Sequence, residues 1–496
     1  MNIDTLIDGL PLELVCGSLQ TEISCIAEDS RLAEPGCLFI ARQGTQTDGA
    51  QYITDAIASG AVAVVATDDA IVPADIARII TDDPNQITAS LAERFYASPS
   101  KSLQLIGVTG TNGKTTTAHL IHQLLNQANM RCGLVGTVQI DDGQNLVTAS
   151  LTTPSSIDLN KLLRTMVDNG CKAAVVEVSS HALDQGRVRG LAFDLAVFTN
   201  LSGDHMDYHN SMDAYANAKS QLFEMLPADA AAIINIDDPN AENMVRNCKA
   251  KLLRCTTKDI SADFSARCLN ASIDGMDARF SGLWGNFEVY LPLVGSYNLS
   301  NALQAASIAN EIGISKAEIQ QGLSNCIAPP GRLEPVKAQQ SELAVLVDYA
   351  HTDDALANVL KALRPLVPQG KKLCVVFGCG GDRDKTKRPR MAQVAVAFAD
   401  QLIITSDNPR TEDPQTIIDE IMEGVPKDAR GKVFSIVDRR QAIEAAIEQA
   451  RPGDVVLIAG KGHESYQIIG TQRMDFDDRI IAAEIINEHL AKVGML

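Results

Sequence analysis

The sequence of 496 residues lacks long apolar runs and closely spaced cysteines. No window holds 18 uncharged apolar residues, and the first residues, MNIDTLIDGLPLEL, lack a basic segment followed by an apolar one. We therefore expect neither a membrane-spanning helix nor a secretory leader, and a cytoplasmic location. The 11 cysteines run from Cys16 to Cys379 without a CxxC pair. This favours reduced, mostly buried thiols over a disulfide framework or a zinc site.

Positive charge and aromatic residues are also scarce. Lys and Arg total 43 against 62 Asp and Glu, which gives a formal charge of −19. This balance argues against affinity for nucleic acid or anionic membranes, so an anionic ligand must be met by local groups of Arg and Lys. With 45% hydrophobic, 21% charged and 4% aromatic residues, the composition is typical of a soluble globular protein and excludes disordered and fibrous classes.

Length and pattern predict three α/β domains, at 1–103, 104–333 and 334–496. The first carries the apolar strands CLFIA and AVAVVAT with a helix at 50–59 between them. The second, a P-loop-type domain, alternates strands such as AAVVEV, DLAVFTN and AAIINI with helical stretches, which is typical of a mostly parallel sheet. The third places a polar loop directly after each of four strands, in LAVLVDYAHTDDAL, KLCVVFGCGGDRDKTKRP, QLIITSDNPRTEDP and DVVLIAGKGHESYQ. This pattern predicts a Rossmann-like, doubly wound sheet whose four loops face one crevice.

The stretch VTGTNGKTTT predicts a phosphate-binding loop. Gly110 and Gly113 allow a tight turn and a close approach to an anion, and the helix beginning near Thr115 offers unpaired N–H groups. Lys114 would reach the terminal phosphates, and the Thr115 hydroxyl would ligate Mg²⁺. Val108 stands where the motif G-x-x-x-x-G-K-T has its first glycine, so a glycine-rich turn with a chance lysine is the alternative. The strand before the loop, the helix after it and the three threonines favour the phosphate site.

Two later strands end in residues that could ligate a metal. Glu177 closes AAVVEV, and Asp204 and His205 follow DLAVFTNLSG in the run DHMDYH. If these strands are parallel neighbours, their ends converge beside the phosphate loop, where a carboxylate and an imidazole could hold a second Mg²⁺. The alternative for DHMDYH is a surface turn with two solvated histidines. HxxxH is also a possible zinc pair, but the absence of a nearby cysteine and the phosphate context favour Mg²⁺.

Nine motifs in order resemble the Mur ligase family of peptidoglycan synthesis. They are GVTGTNGKTTT, EVSSHALDQGRV, FTNLSGDHMDYH, VGSYNLSNALQA, PPGRLEPV, VDYAHTDDAL, GCGGDRDKTKRP, SDNPR and GKGHE. The resemblance covers nearly the whole chain, and it is weakest in the first hundred residues. It implies an ATP-dependent ligase that adds meso-diaminopimelate to UDP-N-acetylmuramoyl-L-alanyl-D-glutamate through an acyl phosphate, releasing ADP and phosphate. From the charge balance we expect no nucleic-acid or membrane partners, and we expect a monomer.

The resemblance also implies residues for ATP and two Mg²⁺ ions. Those for ATP are Gly110, Thr111, Asn112, Gly113, Lys114, Thr115, Thr116, Asn298, Asn301, Arg332 and Asp348. The catalytic residues are Lys114, Glu177, His205 and Lys219, and the metal-binding ones are Thr115, Glu177, His205 and Lys219. Lys219 matches a family lysine that is carbamylated, which would turn a cation that repels Mg²⁺ into an oxygen ligand. The alternative for Lys219 is a solvent-facing helix lysine, and that for the two asparagines is helix capping.

Each substrate has its own implied set of residues. The UDP-sugar peptide would lie between the first two domains, held by Ser30, Thr152, Thr153, Ser179, Gln185 and Arg187. Diaminopimelate would be held by Arg383, Asp407, Asn408, Pro409, Arg410, Gly460 and Glu464. Arg410 can pair with the distal carboxylate that lysine lacks, so binding lysine would leave a guanidinium unpaired, at a cost of roughly 2 to 5 kcal/mol. The chain has Thr45 where some related sequences carry His, and Asp353 where Pro is usual.

Several alternatives stay open from the sequence. The same ligation could use L-lysine, and a folylpolyglutamate synthetase-like ligase would share the ATP machinery without the UDP-sugar domain. A P-loop switch or motor would hydrolyse ATP without a sugar peptide, and a non-catalytic nucleotide-binding protein would not need the catalytic set. GCGGDR imitates a dinucleotide fingerprint, but Arg383 replaces its third glycine, so no NAD site is expected. KTKRPR reads as a solvated basic run or a nucleic-acid patch, and its acidic neighbours favour a local role in the loop.

Overall fold

The structure is a computed structural model that describes residues 1–44, 47–203, 206–258, 260–336 and 343–492. The chain divides into two compact units. Unit 1 comprises Met1–Cys255 with Ser307–Ile314, and unit 2 comprises Thr256–Ala306 with Ser315–Leu496. Within the described ranges, no helix has the length and apolar character needed to span a membrane.

Unit 1 begins with a small sheet of strand order β1-β5-β4-β3-β2, in which only the pairing of β1 with β5 is antiparallel among the described residues. Its elements are α1 (Ile3–Ile7), β1 (Glu13–Cys16), β2 (Cys25–Ala27), β3 (Cys37–Ile40), α2 (Ile53–Ala58), β4 (Ala61–Ala66), β5 (Ala77–Ile80) and α3 (Pro84–Phe95). Helices α1 and α3 pack on one face of this sheet and α2 packs on the other. The two predicted strands are confirmed, and the predicted helix at 50–59 begins as a 3-10 turn, Gly49–Tyr52, before α2.

The cysteine prediction is wrong at one pair. Cys25 and Cys37 lie directly opposite each other on the parallel strands β2 and β3, and they are joined by a disulfide. A register that places two cysteines side by side cannot be read from their spacing of 12 residues in the chain. The other cysteines of the described ranges lie outside this disulfide.

The second sheet of unit 1 carries the predicted phosphate loop. Its elements are β6 (Gln104–Thr109), α4 (Lys114–Gln127), β7 (Cys132–Val135), β8 (Gln139–Asp141), β9 (Leu146–Thr148), α5 (Ser156–Asp168), β10 (Ala173–Glu177), α6 (Ser180–Asp184), β11 (Leu195–Phe198), α7 (Met206–His209), α8 (Met212–Glu224), β12 (Ala231–Asn235), α9 (Ala241–Met244) and β13 (Lys251–Thr256). The order β13-β12-β11-β6-β10-β7 is parallel, and β8 and β9 continue it antiparallel. Strands β6, β7, β10, β11 and β12 are buried on both faces, which explains their continuous apolar runs. The mostly parallel sheet is confirmed, and β6 lies between β10 and β11 as the site prediction requires.

Unit 2 opens with an antiparallel meander that the sequence analysis missed. It consists of β14 (Phe264–Ser272), β15 (Gly275–Gly282) and β16 (Gly285–Leu291). Residues of β16 alternate between buried and exposed, so one side of the strand is packed and the other faces solvent. This period of two marks a half-buried antiparallel strand, and it was the available signal in GNFEVYL.

The main sheet of unit 2 has the order β17-β18-β22-β19-β20-β21 and is parallel from β18 to β21. The remaining elements are α10 (Tyr297–Ile312), α11 (Lys316–Ser324), β17 (Glu334–Pro335), β18 (Ala344–Asp348), α12 (Asp353–Leu363), β19 (Leu373–Phe377), α13 (Lys387–Phe398), β20 (Gln401–Ile404), α14 (Pro414–Met422), β21 (Val433–Ser435), α15 (Arg439–Gln449), β22 (Val455–Ala459), β23 (Tyr466–Ile469), β24 (Gln472–Asp475) and α16 (Asp478–Lys492). Helices α12, α13 and α14 cover one face, and α15 and α16 cover the other. The doubly wound prediction is confirmed, and the strands before the four polar loops, β18, β22, β19 and β20, are neighbours.

Candidate active site

The phosphate loop leaves β6 at Thr109 and enters α4 at Lys114. Gly110 has φ +148° and Gly113 has φ +87°, which are conformations that L side chains rarely adopt. A Cβ placed on Gly110 would lie 1.9 Å from Thr199 Oγ1. Glycine is therefore required at Gly110 by the close packing of the loop as well as by its turn.

The segment after β11 holds the phosphate loop in shape. Thr199 Oγ1 and Asn200 Nδ2 donate to the Asn112 carbonyl at 2.7 Å and 2.9 Å, and the Asn112 N–H donates to Asn200 Oδ1 at 2.9 Å. The Ser202 N–H donates to Thr111 Oγ1 at 2.9 Å. Sequence reasoning missed Thr199 and Asn200, although FTNLSG directly follows a predicted strand of the same sheet.

Glu177 brings a buried carboxylate to the first turn of α4. It ends β10 opposite Val108 of β6 and is 0% exposed. Thr115 Oγ1 donates to Glu177 Oε2 at 2.9 Å, and the hydroxyl and N–H of Thr137 donate to the carboxylate at 3.0 Å and 2.8 Å. A Cβ on Gly136 would lie 2.3 Å from Glu177 Oε1. The structure thus joins Thr115 and Glu177 as predicted and adds Thr137, which sequence reasoning missed.

Two lysine side chains reach the same carbonyl of the phosphate loop. Lys114 Nζ donates to the carbonyls of Gly110 at 2.8 Å and Thr111 at 2.9 Å. Lys219, on α8, donates to the Gly110 carbonyl at 2.8 Å and lies 4.4 Å from the centroid of the Tyr215 ring. Because Lys219 is only 1% exposed, its interpretation as a solvent-facing lysine is wrong. Positive charge is concentrated at the loop where phosphates are expected.

The metal-binding prediction is covered only in part by the described residues. Asp204, His205 and Thr45 lie outside them. His209 is 6% exposed, and its Nε2 lies 2.9 Å from Ser180 Oγ, so the interpretation of DHMDYH as two solvated histidines is wrong for His209. In the ranges that the structure describes, no three His, Cys, Asp or Glu side chains lie together as a metal site.

A cleft of about 1300 Å³ in unit 1 contains part of the set predicted for the UDP-sugar peptide. Its lining includes Ser30, Arg31, Arg42, Gln185, Arg187, Arg189 and Tyr208. Arg187 donates to Gln185 Oε1 at 3.0 Å and 2.6 Å and to the Thr153 carbonyl at 2.8 Å. Burial and then the charge of Arg42 lower the pKa of Arg187. The cleft therefore offers neighbouring guanidinium groups to an anion, and sequence reasoning had missed Arg42.

Threonine and serine hydroxyls connect this cleft to Glu177. Thr153 Oγ1 donates to the Glu177 carbonyl at 2.7 Å and accepts from the Ser179 N–H at 3.1 Å. The hydroxyls of Thr137 and Thr152 are 3.1 Å apart. The predicted residues Thr152, Thr153 and Ser179 therefore lie together at the carboxyl end of β10.

In unit 2, the residues predicted for adenine and ribose are buried. Asn298 Nδ2 donates to the Val294 carbonyl at 2.7 Å, and Asn301 Nδ2 donates to Asn298 Oδ1 at 2.9 Å. Asp348 accepts the N–H groups of Leu333 and Ala350 at 2.7 Å and 2.8 Å. Burial raises the pKa of Asp348, and the positive charge of Arg332 opposes this shift.

The loops around Arg332 and His463 are in close contact within unit 2. A Cβ on Gly331 would lie 2.2 Å from the backbone of Gly462 and His463, so PPGRLEP packs directly on GKGHE. The Arg332 guanidinium lies 4.8 Å from the centroid of the Tyr349 ring. These contacts place Arg332 beside Asp348 and the GKGHE loop, two of the regions predicted to bind ligands.

The SDNPR and GKGHE loops meet in the predicted amino-acid pocket. Asn408 Nδ2 donates to Glu464 Oε2 at 2.8 Å, and a Cβ on Gly460 would lie 3.0 Å from Asp407 Oδ2. Arg410, with φ +50°, donates to the Gly381 carbonyl at 2.7 Å. The GCGG loop also packs here, because a Cβ on Gly381 would lie 1.9 Å from the Pro409 carbonyl oxygen.

Arg383 is not gathered with the other predicted amino-acid ligands. It is exposed, and its Nη1 donates to the Asp382 carbonyl at 3.1 Å. The KTKRPR run instead contributes Arg388, which is 0% exposed and paired with Glu412 and Glu420. Arg388 also donates to the Gly380 carbonyl at 3.2 Å. The interpretation of KTKRPR as a wholly solvated run is therefore wrong, and its expected local role in the loop is confirmed.

Three family models match successive parts of the chain. They describe the Mur ligase family catalytic domain at residues 22–96, the Mur ligase middle domain at 108–309, and the Mur ligase glutamate ligase domain at 331–462. A protein of Synechococcus elongatus named UDP-N-acetylmuramoyl-L-alanyl-D-glutamate--2,6-diaminopimelate ligase is 45% identical over 490 residues, 97% of each chain. The chain belongs to the Mur ligase family. A relative of the same name from Caldanaerobacter subterraneus subsp. tengcongensis is 42% identical over 98% of this chain and 99% of the relative.

A solved structure supports the Mur ligase fold over the full chain. It is described as the structure of UDP-N-acetylmuramoyl-L-alanyl-D-glutamate--2,6-diaminopimelate ligase, is 34% identical, and has a TM-score of 0.72. The match covers 98% of this Mur ligase and 99% of the solved chain. The similarity therefore includes the first hundred residues, where the motifs are weakest.

Proposed function

We propose that this Mur ligase uses ATP to join meso-diaminopimelate to UDP-N-acetylmuramoyl-L-alanyl-D-glutamate, releasing ADP and phosphate. The observation that carries the proposal is the convergence of Lys114, Lys219 and Glu177 on the phosphate loop. The names of its full-length relatives support the choice of substrates.

The proposed reaction makes a peptide bond in two steps. The substrate carboxylate is a poor electrophile, so it first attacks the γ-phosphorus of ATP, forming an acyl phosphate and ADP. The neutral amine of diaminopimelate then attacks the acyl carbon, phosphate leaves with the bonding electrons, and the amine loses a proton. Because the first step brings two anions together, it requires positive charge at the phosphates. The Lys114 ammonium and the N–H groups that begin α4 supply such charge.

The oxygen atoms around Glu177 are of the kind that bind Mg²⁺. The Thr115 hydroxyl and the Glu177 carboxylate are 2.9 Å apart, and oxygen donors are those that Mg²⁺ prefers. We propose two Mg²⁺ sites that use Thr115, Glu177, His205 and Lys219. Bound Mg²⁺ would neutralise charge on the phosphate and carboxylate oxygens. Since an ammonium cannot ligate a cation, the proposal includes carbamylation of Lys219.

The remaining predicted residues keep their proposed ligands. The phosphate loop from Gly110 to Thr116 would hold the ATP phosphates, and Asn298, Asn301, Arg332 and Asp348 would hold the rest of ATP. The UDP-sugar peptide would use Ser30, Thr152, Thr153, Ser179, Gln185 and Arg187. Domains at 1–103, 104–333 and 334–496 would bind the UDP-sugar, ATP and the amino acid, respectively. A monomeric state and a cytoplasmic location stay predictions.

The amino acid would be selected by the SDNPR and GKGHE loops. We assign the distal carboxylate of diaminopimelate to Arg410 and its distal ammonium to Glu464, with Asp407, Asn408, Pro409 and Gly460 around them. Arg383 would meet the near carboxylate, which requires its exposed side chain to turn toward the pocket. Lysine lacks the group that Arg410 would bind, so it is the disfavoured substrate.

The proposal is tested by offering the purified protein ATP, Mg²⁺ and UDP-N-acetylmuramoyl-L-alanyl-D-glutamate with radiolabelled diaminopimelate or lysine. We expect labelled UDP-tripeptide with diaminopimelate only, with one ADP and one phosphate released for each bond. Equal ligation of lysine would overturn the choice of amino acid. A parallel reaction with a folate and glutamate tests the related ligase activity, and product there would overturn the choice of acceptor.

A further inference from the structure

Lys461 is a buried ammonium within the pocket proposed for diaminopimelate. Its side chain is 0% exposed, and Nζ lies 3.2 Å from Asn408 Oδ1, 3.2 Å from Glu464 Oε2 and 3.6 Å from Asp407 Oδ1. The centroid of the Tyr466 ring lies 5.5 Å from the same nitrogen. An ammonium is removed from water at high cost unless anions and hydrogen bonds compensate. The two carboxylates are therefore what allows Lys461 to be buried.

The carboxylates of Asp407 and Glu464 depend on Lys461 in turn, because they are also largely buried. The side chains of Asp407 and Glu464 are 8% and 18% exposed. Within the described ranges, no donor lies at hydrogen-bond distance from Asp407 Oδ1, so the charge of Lys461 at 3.6 Å is its compensation. Glu464 Oε2 has donors in both Asn408 and Lys461. Lys461 thus lies beside both anions, and the three side chains carry a net charge of −1.

The net charge of the pocket side chains that the SDNPR and GKGHE loops supply matches that of the distal end of diaminopimelate. Arg410, in the same loop as Asp407, adds one positive charge. The four charged side chains of these two loops then sum to zero, as do the distal ammonium and carboxylate of diaminopimelate. The distal end of lysine carries +1. A neutral pocket gives an extra cation no net attraction, whereas a pocket without Lys461 would carry −1 and attract it.

We infer that Lys461 is a positioning and specificity-determining residue, which fixes Asp407 and Glu464 and keeps the pocket neutral so that a zwitterionic distal end is preferred over a cationic one. This inference rests on the proposed function. Lys461 acts through the two carboxylates and takes no part in forming the peptide bond.

The test compares Lys461→Gln with the unmutated protein on diaminopimelate and on lysine. Losing a charge-assisted contact should lower kcat/KM for diaminopimelate by about tenfold to a hundredfold. The same parameter for lysine should stay constant or rise, so the ratio of the two falls. KM for ATP and for the UDP-dipeptide should not change. The matched control, Lys361→Gln on the exposed side of α12, should leave the ratio unchanged.

A second variant separates lost charge balance from general damage. Lys461→Gln combined with Asp407→Asn restores the net charge of −1 to the carboxylate group, and should recover part of the preference for diaminopimelate. An unchanged ratio in Lys461→Gln, or an equal loss for both amino acids with no recovery in the double variant, would overturn the inference alone. If Lys461→Gln does not fold, Lys461→Arg is tested instead. Because this variant keeps the charge, its ratio of kcat/KM for diaminopimelate to kcat/KM for lysine should stay unchanged, and a fall in that ratio would overturn the inference. An unmutated protein that ligates neither amino acid would overturn the proposed function, and the inference with it.

Discussion

Two lysines, one in each unit, are buried to the same degree but contact different groups. Lys219 is 1% exposed and Lys461 is 0% exposed. Lys219 donates to a backbone carbonyl of the phosphate loop and lies over the Tyr215 ring. Lys461 lies between Asp407 and Glu464. These ion pairs suit a permanent cation, and the position of Lys219 beside the phosphate loop suits a residue whose charge is proposed to be reversed.

The difference predicts which of the two lysines tolerates carbamylation. A carbamate on Lys461 would place a third anion beside two largely buried carboxylates, which is strongly unfavourable. A carbamate on Lys219 would place oxygen ligands beside the phosphate loop, where Mg²⁺ is proposed. The burial of a lysine therefore does not by itself indicate its role, whereas the groups that it contacts do.

The largest effect is expected at Lys219. Replacing it with Ala should lower kcat about a thousandfold, the scale expected when a group that stabilises transition-state charge is lost. A short carboxylic acid such as acetate should restore part of the activity by supplying the missing oxygens. Activity is measured as UDP-tripeptide formed. Full activity in Lys219→Ala without added acid would remove the carbamate role.

Two controls accompany the Lys219 experiment. Lys161→Ala, at an exposed position of α5, should retain full activity. Lys461→Gln should gain nothing from the added acid, because its loss removes a cation and leaves the carboxylates in place. Recovery of both lysine variants by the acid would contradict the contrast between the two sites.

A buried ion pair next to the Lys461 loop provides the second prediction. Arg439 and Asp478 are both 0% exposed and 2.7 Å apart. Arg439 donates to the carbonyl of Ser406, the first residue of SDNPR, and to that of Ala459, just before GKGHE. Arg439→Met leaves Asp478 buried without its partner and should lower the free energy of unfolding by about 3 to 5 kcal/mol. Urea unfolding of the full chain measures this change.

The adjacent arginine is a close control for Arg439. Arg440 pairs with Glu484 at 2.9 Å, but the two side chains are 44% and 49% exposed. Arg440→Met should therefore lower the free energy of unfolding by no more than about 1 kcal/mol. Equal losses in the two variants would mean that burial does not decide the strength of these pairs.

Arg410 tests whether the unit 2 pocket acts on the amino acid alone. Arg410→Ala should lower kcat/KM for diaminopimelate by a factor that corresponds to roughly 2 to 5 kcal/mol of lost transition-state stabilisation. KM for ATP should not change. Arg410→Lys keeps the positive charge but cannot form a bidentate pair with a carboxylate, so it should recover only part of the lost kcat/KM. The exposed Arg430 offers a neutral control as Arg430→Ala. A matching rise in KM for ATP in Arg410→Ala would show that the loop has a general structural role.

Much of the fold was predictable, because parallel strands buried on both faces give continuous apolar runs. The same patterns located the phosphate loop, Glu177 and the four strand-end loops of unit 2. The β14–β16 meander was missed because its residues were assigned as a whole to the mostly parallel second domain, and the alternation in β16 was not considered. The Cys25–Cys37 disulfide depends on strand register, which cysteine spacing does not contain.

Supporting side chains were the least predictable part of the candidate site. Thr137, Thr199 and Lys461 act through contacts with residues 40, 87 and 53 positions away, respectively. Such contacts depend on tertiary packing and leave no local pattern. Lys219 was found only through the family resemblance, since one lysine in a helix is more often exposed. Arg388 was hidden in a basic run whose other members are solvated to differing degrees.

The smallest expected effect concerns His463, two residues after Lys461 in the same loop. Burial, and next the positive charge of Arg332, lower the pKa of His463 to about 4. Its pKa in the unfolded chain is about 6.5, so between pH 6.5 and 4 the unfolded state binds more protons than the folded state. The free energy of unfolding should therefore fall by about 1 to 3 kcal/mol as the pH drops through this window. His463→Gln should remove this part of the pH dependence, whereas His489→Gln on α16 should retain it. A slope that is unchanged in His463→Gln would contradict the lowered pKa of His463.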